Sequence, residues 1–487
     1  MMVSVNNFRN PIDFLLHQVE KRPHATALLS NERTLTFIEL WRSIISRAGW
    51  FCLHGLKRNM RVAIYTDNDV EMTTSLFAIW IAGATCVPIN ITLKPDQIGM
   101  IEQNAVPDIG FYSGNVVMDI AKKFPLFPLA GEAENFDKPF NRPEPDDCAI
   151  IMFTSGTSGV PKAVPMTYGA LGHNSWETSV KLGITSNDRI FINSPPYYTS
   201  SIIHGLTLFA QGGSVYVNRG LLMGSSLIDI MHKNHCTGFG GVPVHFIRLS
   251  GSLKEIAYPE SIRFFMNSGE HLPVPILKEI HLALPNIQFF CVYGLTEVAG
   301  RLCILPPEKL DIKYGSVGLP LPGMEISIRD KSGQKVGVGE VGEVHVKGVC
   351  LMKGYLNNPE ANKKSMKPYG FATGDFGYLD MDGYLYLQGR HDDIIKVAGE
   401  KVSVKMIEEK IFGFEQFADF MVSPVFDEHM GNVPGVSYVL KDGATFNKKE
   451  LLKHLRKSLP ANHIPVHFNE VDEIPRASSG KVLRNKL

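Results

Sequence analysis

The sequence predicts an α/β fold in two parts: a large N-terminal domain of mostly parallel sheets with helices plus a small β-barrel-like part, and a small α+β C-terminal domain. Three observations predict it. Apolar strands alternate with helical stretches to about residue 260, short alternating segments rich in Gly and Pro occupy residues 315–388, and a charged junction then precedes a compact final segment. A chain of 487 residues is too long for one ordinary domain. We place the domains at residues 1–389 and 390–487.

The composition excludes several classes of protein. Apolar residues make up 44% of the chain, which is enough for large cores and argues against wholesale disorder. Lys plus Arg equals Asp plus Glu at 49 each, so we expect neither a nucleic acid nor an anionic membrane as partner. Seven cysteines without a Cys-x-x-Cys motif indicate no disulfide framework or zinc site and favour a reduced, cytoplasmic setting. The longest apolar run, Leu76 to Ile89, is too short to span a bilayer, so no membrane span is expected.

The first elements are predicted from capping signals and apolar runs. Residues 11–56 should form helices around a short hairpin, because Thr36 and Glu39 form a capping-box pattern and Gly55 stands where a helix should end. The longest apolar run is interpreted as a buried helix that leads into a strand. Strands of a mostly parallel sheet are predicted at Val62–Tyr65, Ile190–Ile192 and Ser214–Val217.

A glycine-rich loop follows a buried strand near residue 150. Ile150–Phe153 is continuously apolar, which suits a strand buried on both faces. Thr154–Lys162 then supplies hydroxyl donors, glycines that let backbone N–H groups approach an anion, and the positive charge of Lys162. These are the parts of a phosphate-binding loop, and a plain flexible turn is the alternative. Because a second strand follows Lys162 where a P-loop would open a helix, the loop should lie between two strands.

Two later strands each end in a polar loop that contains glycine. The apolar run Ile262–Met266 leads into Asn267–His271, and Ile287–Val292 leads into Tyr293–Glu297. In open α/β sheets ligands bind just beyond the carboxyl ends of strands. We therefore expect both loops, together with Gly240–Pro243, to share one crevice.

The last third of the chain carries three further motifs. Thr373-Gly374-Asp375, Gly389–Asp393 and the Ser/Gly-rich tail around Lys481 could separately be a turn, a charged linker and a surface lysine. Short alternating segments at Glu325–Ile328, Glu343–Val346 and Tyr384–Leu387 predict an antiparallel sheet or barrel, and Asn447 with Glu450 predicts a helix through about Ser458.

The order of these motifs, from residue 154 to residue 481, resembles that of the adenylate-forming enzymes. This superfamily comprises acyl-CoA synthetases, adenylation domains of peptide synthetases and luciferases, and the resemblance covers nearly the whole chain. It implies ATP-dependent activation of a carboxylic acid to acyl-AMP with release of pyrophosphate, followed by transfer of the acyl group to the thiol of coenzyme A. The expected enzyme is an AMP-forming acid–thiol ligase that uses ATP, Mg²⁺ and coenzyme A. Its catalysis is largely positioning and charge neutralisation, because two anions must be brought together.

The resemblance also implies roles for the matching positions. The loop around the β- and γ-phosphates would comprise Thr154, Ser155, Gly156, Thr157, Ser158, Gly159 and Lys162. The adenine side of the site would comprise Gly269, Glu270, Tyr293 and Gly294. Thr296 would contact the α-phosphate, and Glu297 would hold Mg²⁺. Asp375 would accept hydrogen bonds from the ribose hydroxyls, with Arg390 beside it. Lys481 would reach both the substrate carboxylate and the α-phosphate.

A change of conformation between the two half-reactions is implied as well. Asp392 matches the hinge residue of the superfamily. Rotation of the C-terminal segment would withdraw Lys481 and bring the loop Lys396–Lys401 to the active site. Gly399 would then leave room for a pantetheine arm, whose thiol attacks the acyl-AMP. This conformational expectation is an analogy with the superfamily.

The acid pocket is predicted to be neutral. Its wall would comprise Tyr198, Ile203, Val242, Val298, Ala299 and Gly300. The resemblance implies that members that activate α-amino acids place an Asp early in the pocket to anchor the ammonium group. The corresponding stretch, Pro195–Gly205, contains no acidic residue, so an α-amino acid is not expected and an apolar aliphatic or aromatic acid is favoured. His204 and Arg301 could recognise a second polar group or could have buried or capping roles. Tyr198 stands where many acyl-CoA synthetases carry His, and Cys291 and Val292 stand where an amide or carboxylate often precedes the adenine loop.

Three alternatives to a coenzyme A ligase stay open. A stand-alone ligase could load the acid onto the phosphopantetheine arm of an acyl carrier protein, a luciferase-type enzyme could oxidise the adenylate, and a degenerate protein could bind nucleotide without catalysis. The presence of Lys162, Glu297, Asp375 and Lys481 argues against the last.

Overall fold

A computed structural model describes residues 9–114, 124–129, 142–154, 161–219, 224–253, 260–390, 394–397, 400–412, 414, 416–427, 431–476 and 482. The helices of this part of the chain are α1 (Pro11–Lys21), α2 (Phe37–Leu53), α3 (Asp69–Ile81), α4 (Pro95–Ala105), α5 (Tyr168–Lys181), α6 (Thr199–Phe209), α7 (Ser225–Lys233), α8 (Pro243–Ser250), α9 (Val274–Ala283), α10 (Pro359–Ser365), α11 (Val404–Ile411) and α12 (Lys448–Leu455).

The strands of the first half are β1 (Thr26–Ser30), β2 (Thr34–Thr36), β3 (Arg61–Tyr65), β4 (Thr85–Ile89), β5 (Ile109–Tyr112), β6 (Leu126–Pro128), β7 (Cys148–Thr154), β8 (Lys162–Thr167), β9 (Arg189–Ile192), β10 (Ser214–Val217), β11 (Gly238–Gly241), β12 (Phe264–Asn267) and β13 (Gln288–Leu295). Those of the second half are β14 (Gly300–Leu305), β15 (Ser316–Pro320), β16 (Met324–Arg329), β17 (Gly342–Gly348), β18 (Met366–Lys367), β19 (Gly370–Leu379), β20 (Leu385–Arg390), β21 (Ile394–Val397), β22 (Glu400–Ser403), β23 (Phe417–Asp427), β24 (Gly431–Leu440) and β25 (His467–Glu470).

The N-terminal elements form as the capping signals predict. The Thr36 side chain accepts from the backbone of Glu39, and the Glu39 carboxylate accepts from the backbone of Thr36, so a complete capping box begins α2. Gly55 lies just beyond the end of α2 with a φ of 99°, a conformation that glycine adopts without steric cost. The predicted hairpin is the antiparallel pair β1–β2 between α1 and α2.

The first sheet has six strands in the order β6-β5-β3-β4-β7-β8. Its strands pair in parallel except for the antiparallel pair β7–β8. The apolar run from Leu76 to Ile89 divides into the end of α3, a turn at Gly83, and β4, whose five residues are all buried. The buried helix that leads into a strand is thereby confirmed. Among the described residues, no helix combines the length and the apolar character that crossing a membrane requires.

The second sheet joins parallel and antiparallel strands in one hydrogen-bonded array. Its order is β16-β17-β19-β20-β15-β14-β13-β12-β11-β9-β10-β1-β2, with β18 beside β19. The strands from β13 to β1 pair in parallel, whereas those from β16 to β14 pair antiparallel. The predicted antiparallel part is confirmed, and it joins the parallel strands through the antiparallel pairs β14–β15 and β13–β14.

The carboxyl ends of β11, β12 and β13 lie side by side. Their register aligns Gly241 with Asn267 and Asn267 with Cys291, so the loops that follow emerge at one edge, as predicted. One boundary differs from the prediction. Strand β13 continues through Tyr293 and Gly294 to Leu295, because these residues pair with β14. A Cβ atom on Gly294 would lie 2.1 Å from the Gly300 carbonyl oxygen, so only glycine permits this approach.

The C-terminal part has its own core. Strands β23, β24 and β25 form one sheet, β21 and β22 form another, and residues of α11 and α12 pack against them. Asn447 caps α12 as predicted, although the helix ends at Leu455 rather than near Ser458. Arg390 is the last residue of β20 in the large sheet. Further along the chain, the Ser403 hydroxyl donates to the Gln388 carbonyl of β20 at 2.9 Å, so Ser403 lies next to that strand.

Candidate active site

The predicted phosphate-binding loop connects β7 to β8, which pair antiparallel. Thr154 ends β7, Lys162 begins β8, and the two residues are register partners. Residues Ser155, Gly156, Thr157, Ser158 and Gly159 lie outside the described residues. The loop therefore leaves one strand and enters the next, as predicted, and neither of its described ends is helical.

Lys162 contacts a buried pair formed by Glu297 and Tyr355. The Lys162 ammonium lies 4.9 Å from the centroid of the Tyr355 ring. The Tyr355 hydroxyl donates to Glu297 Oε1 at 2.7 Å, and Glu297 is only 9% exposed. Burial and the adjacent Glu297 carboxylate raise the pKa of Tyr355, so the phenol keeps its proton as a donor. The backbone N–H of Met352 also donates to the Glu297 carbonyl at 2.8 Å.

Asp375 is held by a second buried network. The Tyr293 hydroxyl donates to Asp375 Oδ2 at 2.5 Å, and Arg390 Nε lies 3.2 Å from Asp375 Oδ1. Strands β19 and β20 pair Asp375 with Arg390 directly. The backbone of Asp375 donates to Thr373 Oγ1 at 3.1 Å, and that hydroxyl donates to the Val344 carbonyl at 2.9 Å. Burial and the Asp375 carboxylate raise the pKa of Tyr293 well above its ordinary value.

A tight reversal between β13 and β14 presents Thr296 and Glu297. Residues Thr296–Val298 form a 3₁₀ turn, after which Ala299 and Gly300 adopt φ values of 57° and 120°. These left-handed conformations reverse the chain within two residues. Thr296 Oγ1 lies 3.5 Å from Oγ1 of Thr199, at the start of α6. The reversal therefore contacts the helix whose later residues were predicted to line the acid pocket.

A buried amide, Asn174 on α5, holds the far side of this reversal. Its Nδ2 donates to the carbonyls of Val298 at 3.2 Å and Arg301 at 2.6 Å, and its Oδ1 accepts from the Arg301 backbone at 3.3 Å. Asn174 is fully buried. Sequence reasoning missed both Asn174 and Tyr355, since neither lies in a motif and each contacts a residue far away in the chain.

The predicted pocket residues come from three different elements. Ile203 on α6 packs against the reversal, because a Cβ atom on Gly300 would lie 3.1 Å from Ile203 Cγ1. Ile203 and Ala299 are both 1% exposed, so they form part of the packed wall. A Cβ atom on Gly269 would lie 3.4 Å from Val242 Cγ1, which brings the loops after β11 and β12 together.

Aromatic and backbone contacts complete this edge of the sheet. The Tyr198 ring lies 5.2 Å from that of Tyr197 in an edge-to-face arrangement. The Glu270 carbonyl accepts a hydrogen bond from Asn267 Nδ2 at 3.0 Å. These contacts fix the loops that carry the predicted adenine and acid residues.

Two basic side chains, His204 and Arg301, are buried and follow the wall residues Ile203 and Gly300 in the sequence. His204 is 4% exposed, and a Cβ atom on Gly240 would lie 2.3 Å from its Nε2. Arg301 is 6% exposed and donates from Nη1 to Thr207 Oγ1 at 3.4 Å. Burial and the Arg301 charge hold the pKa of His204 well below its usual range, with a smaller opposing effect from the Ser200 backbone. Burial also lowers the pKa of Arg301 to about 9.

The Glu297 carboxylate fits a magnesium ion. The Tyr355 hydroxyl donates to Glu297 Oε1, whereas Glu297 Oε2 has no hydrogen-bond partner among the described residues. That second oxygen is available as a metal ligand close to Lys162. Mg²⁺ binds through one or two carboxylates together with substrate phosphates, and this arrangement offers one carboxylate. In the described ranges, no group of three or more His, Cys, Asp and Glu side chains is positioned to hold a metal ion.

Three further predicted residues, beyond those of the phosphate-binding loop, are not placed. Asp392, Gly399 and Lys481 lie outside the described residues. One contact between the two parts of the chain joins His271, after β12, to Glu409 on α11, with Nε2 and Oε1 3.0 Å apart. The C-terminal part thus touches the same edge of the sheet from which the predicted adenine loop emerges.

Two family models match this chain. The model described as AMP-binding enzyme matches residues 15–356, and the model described as AMP-binding enzyme C-terminal domain matches residues 406–481. Together they span both parts of the structure. The first match contains β7, β8, β11, β12 and β13, whose ends carry the contacts described above.

Relatives resemble the chain over nearly its full length. The 2-succinylbenzoate–CoA ligase of Bacillus velezensis is 30% identical over 484 residues, covering 98% of this chain and 97% of the relative. The enzyme of the same name from a Geobacillus species is 30% identical over 483 residues, covering 98% and 96%.

Solved structures give the same result. The Bacillus subtilis o-succinylbenzoate coenzyme A synthetase in complex with ATP and magnesium ion superposes with a TM-score of 0.87 at 28% identity, covering 97% of this chain and 98% of that one. The same enzyme in complex with its acyl-adenylate intermediate also gives 0.87 at 28% identity, covering 97% of each chain. ATP-bound MatB from Rhodopseudomonas palustris gives 0.88 at 25% identity, covering 98% and 97%.

Proposed function

Because this chain belongs to the AMP-binding enzyme family, we propose the roles that its own residues take in the reaction and the kind of acid that it activates. The protein is an AMP-forming acid–thiol ligase. It uses ATP to convert a small-molecule carboxylic acid to acyl-AMP with release of pyrophosphate, and it then transfers the acyl group to the thiol of coenzyme A.

The phosphate end of the site is proposed to comprise Lys162, Thr296 and Glu297 with the loop from Thr154 to Gly159. The observation that carries this proposal is the buried contact of Glu297 with Tyr355, over whose ring Lys162 lies. Tyr355 orients one carboxylate oxygen and leaves the other for Mg²⁺, which neutralises phosphate charge when bound. Lys162 adds a fixed positive charge at the same point, so the negative charge of the leaving pyrophosphate meets groups that are already in position.

Asp375 is proposed to bind the ribose, and Gly269, Glu270, Tyr293 and Gly294 to enclose the adenine. Arg390 and the Tyr293 hydroxyl hold both Asp375 oxygens in a fixed orientation. A carboxylate accepts several hydrogen bonds at once, so ribose hydroxyls can add to those that it already makes. Positioning of the nucleotide against the acid then needs little rearrangement of this part.

We further propose that the parts 1–389 and 390–487 act as separate domains in the two half-reactions. Lys481 would bridge the acid carboxylate and the α-phosphate during adenylation, and Asp392 would be the hinge about which it withdraws. Gly399 would then admit the pantetheine arm. The separate core of the C-terminal part supports this division, because α11 and α12 pack on strands of their own part.

The acid is proposed to have an apolar body and not to be an α-amino acid. The neutral wall formed by Ile203, Val242, Ala299 and Gly300, with Tyr198 beside it, supports an aliphatic or aromatic body, and no carboxylate of α6 is available to pair with an ammonium group. Coenzyme A is the acceptor in the names of the relatives, and an acyl carrier protein is the second candidate. We also propose a cytoplasmic location, supported by seven cysteines that are all free thiols.

Acid-dependent ATP–pyrophosphate exchange tests this function. The purified protein is offered a panel of aliphatic and aromatic acids, α-amino acids and 2-succinylbenzoate, with Mg²⁺ and labelled pyrophosphate. Exchange with an acid of apolar body is expected, and exchange that only α-amino acids support would refute the proposed pocket. A second assay follows thioester formation with coenzyme A and with a phosphopantetheinylated carrier protein, and faster transfer to the carrier would replace coenzyme A as the acceptor.

A further inference from the structure

We infer that a cavity on the side of helix α6 that faces away from the acid pocket sets how broad an acid the enzyme accepts, and that Gly205 keeps this cavity open. The cavity gives α6 room to move when a broad acid enters. The inference rests on the proposed function, because it names the substrate class of the same site: acids with a branched or ring-bearing apolar body. Gly205 acts on the acid through α6, so it is a positioning residue and does not contact substrate.

Helix α6 has two different faces. Ile203 packs against the reversal, where a Cβ atom on Gly300 would lie 3.1 Å from Ile203 Cγ1, and Thr207 accepts from Arg301 Nη1 at 3.4 Å. At about 3.6 residues per turn, Ile203 and Thr207 share one side of the helix, and the cavity-lining residues share the other. The cavity-lining residues of α6 are Ser201, Ile202, Gly205, Leu206 and Phe209. Helix α6 therefore separates the reversal from the cavity.

The cavity is suited to apolar volume. It measures about 40 Å³, and its opposite wall includes Leu76 and Phe77 on α3 and Val215 on β10. Of its described lining residues, Asp69 alone is charged, and it is ion-paired with Arg219 at 2.9 Å. Apolar cavities of this kind exclude ordered water and take up apolar groups. The space can therefore receive the side chains of α6 when the helix shifts.

Gly205 leaves the cavity unfilled at the middle of the helix. Beyond its own helix backbone and its chain neighbours, a Cβ atom built on Gly205 would meet no described atom within 4 Å. Gly205 also lies inside α6, where alanine is the better helix former. No contact in the described part of the chain requires glycine at this position. The effect of the missing side chain is to preserve the open space beside α6.

The polar contacts between α6 and the reversal are long. Thr207 Oγ1 lies 3.4 Å from Arg301 Nη1, and Thr199 Oγ1 lies 3.5 Å from Thr296 Oγ1. Hydrogen bonds of this length are weak, so lengthening them further costs little. A broad acid that enters between Ile203 and the reversal can therefore displace α6 towards the cavity, whereas a narrow acid fits without that movement.

The test is the acid preference of variants that fill the cavity. ATP–pyrophosphate exchange is measured with the broadest ring-bearing acid and the narrowest straight-chain acid that the unmodified enzyme activates. Gly205→Ala should lower kcat/KM for the broad acid about 10-fold, mainly through KM, and should change that for the narrow acid less than about twofold. Gly205→Leu, which fills more of the cavity, should widen the difference to about 100-fold.

The outcomes distinguish the inference from the proposed function. An equal effect of Gly205→Ala on both acids, or no effect on either, overturns the inference while the proposed function stands. An unmodified enzyme that activates straight-chain acids but no branched or ring-bearing acid also overturns the inference alone. Absence of exchange with every acid would instead overturn the proposed function.

A matched glycine separates cavity filling from helix stabilisation. Gly99, inside α4, also has no described atom within 4 Å of a built Cβ, its chain neighbours and helix backbone excepted. Both Gly99→Ala and Gly205→Ala should raise the melting temperature, but only Gly205→Ala should change the acid preference. Xenon measures the cavity directly, since it should bind beside Gly205 in crystals of the unmodified protein and not in those of Gly205→Leu. A missing xenon site in the unmodified protein, or an equal change of preference in Gly99→Ala, would overturn the inference.

Discussion

The proposed active site has a nucleotide end around Glu297 and Asp375 and an acid end around Arg301 and His204, and the two differ in how their charged groups are satisfied. At the nucleotide end, Glu297 is held by Tyr355, and Asp375 is held by Tyr293 and Arg390. At the acid end, Arg301 is buried without a carboxylate among the described residues, and the described partner of the His204 ring is the Ser200 backbone rather than a charged side chain. The first end is organised before any ligand binds, whereas the second is incomplete.

The difference has a physical reason. Groups that bind a nucleotide meet the same ligand in every turnover, so contacts with one another can orient them permanently at little cost in affinity. A buried charge that waits for its partner lowers the stability of the free protein, and binding of the correct ligand recovers that loss. Groups whose charges are unsatisfied in the free protein therefore discriminate among ligands. Groups that are already satisfied bind a ligand that is the same in every turnover.

The largest effect should come from Lys481, which would connect the two ends. Lys481→Ala should slow acyl-AMP formation by about 10³-fold or more, because charge between the carboxylate and the α-phosphate loses its neutralising partner. Thioester formation from supplied acyl-AMP should persist. ATP–pyrophosphate exchange measures the first step and coenzyme A consumption the second, with Lys453→Ala on an exposed face as control. Equal failure of both steps would contradict a lysine that serves adenylation alone.

Smaller effects are expected from substitutions of Glu297 and of Tyr355, whose phenol orients the Glu297 carboxylate. Glu297→Gln should lower kcat/KM for adenylation by about 10²–10³-fold, because the proposed Mg²⁺ ligand loses its charge. Tyr355→Phe leaves the carboxylate in place and should cost only about tenfold. Titration of each variant with Mg²⁺ distinguishes them, since Glu297→Gln should need a higher concentration and Tyr355→Phe should not. If the phenol variant is the more damaged of the two, Tyr355 has a role in the reaction and does not merely orient Glu297.

The strand pattern and the position of the phosphate loop were predictable because they depend on neighbouring residues. Apolar runs such as Ile150–Phe153 and glycines at strand ends are local signals, and they predicted β7 and the shared edge of β11, β12 and β13. The partners of the site residues were not predictable. Tyr355 is 58 positions from Glu297, and Asn174 is 124 from Val298, so only the folded chain brings them together. The extension of β13 past Tyr293 likewise depends on its pairing with β14.

Stability should move in opposite directions at the two ends. Arg301→Met replaces an unpaired buried charge with an apolar side chain of similar length, and it should raise the free energy of unfolding by about 1–2 kcal/mol. Tyr355→Phe leaves the buried Glu297 without its donor and should lower that free energy by about 1–3 kcal/mol. Thermal unfolding in the absence of ligands measures both. If both substitutions change the free energy of unfolding in the same direction, the two ends do not differ in the way their contacts indicate.

The smallest expected effect is the response to pH, which should arise at the acid end. The folded-state pKa of His204 is depressed, so below pH of about 6.5 the unfolded chain binds a proton that the buried ring cannot, and stability falls as pH falls. This contributes at most about 1.4 kcal/mol per pH unit. Tyr293 and Tyr355 at the nucleotide end should not respond between pH 5.5 and 7.5, because their pKa values are raised far above this window.

The measurement is the free energy of unfolding between pH 5.5 and 7.5 for the unmodified protein and for His204→Gln. Because His245 and His271 also have lowered pKa values, the free energy of unfolding should still depend on pH in the variant. Its slope against pH should correspond to about one proton fewer taken up on unfolding. The exposed His232 supplies the control, since His232→Gln should leave the slope as it is. A slope in His204→Gln equal to that of the unmodified protein would mean that this imidazole contributes no proton to unfolding in this window.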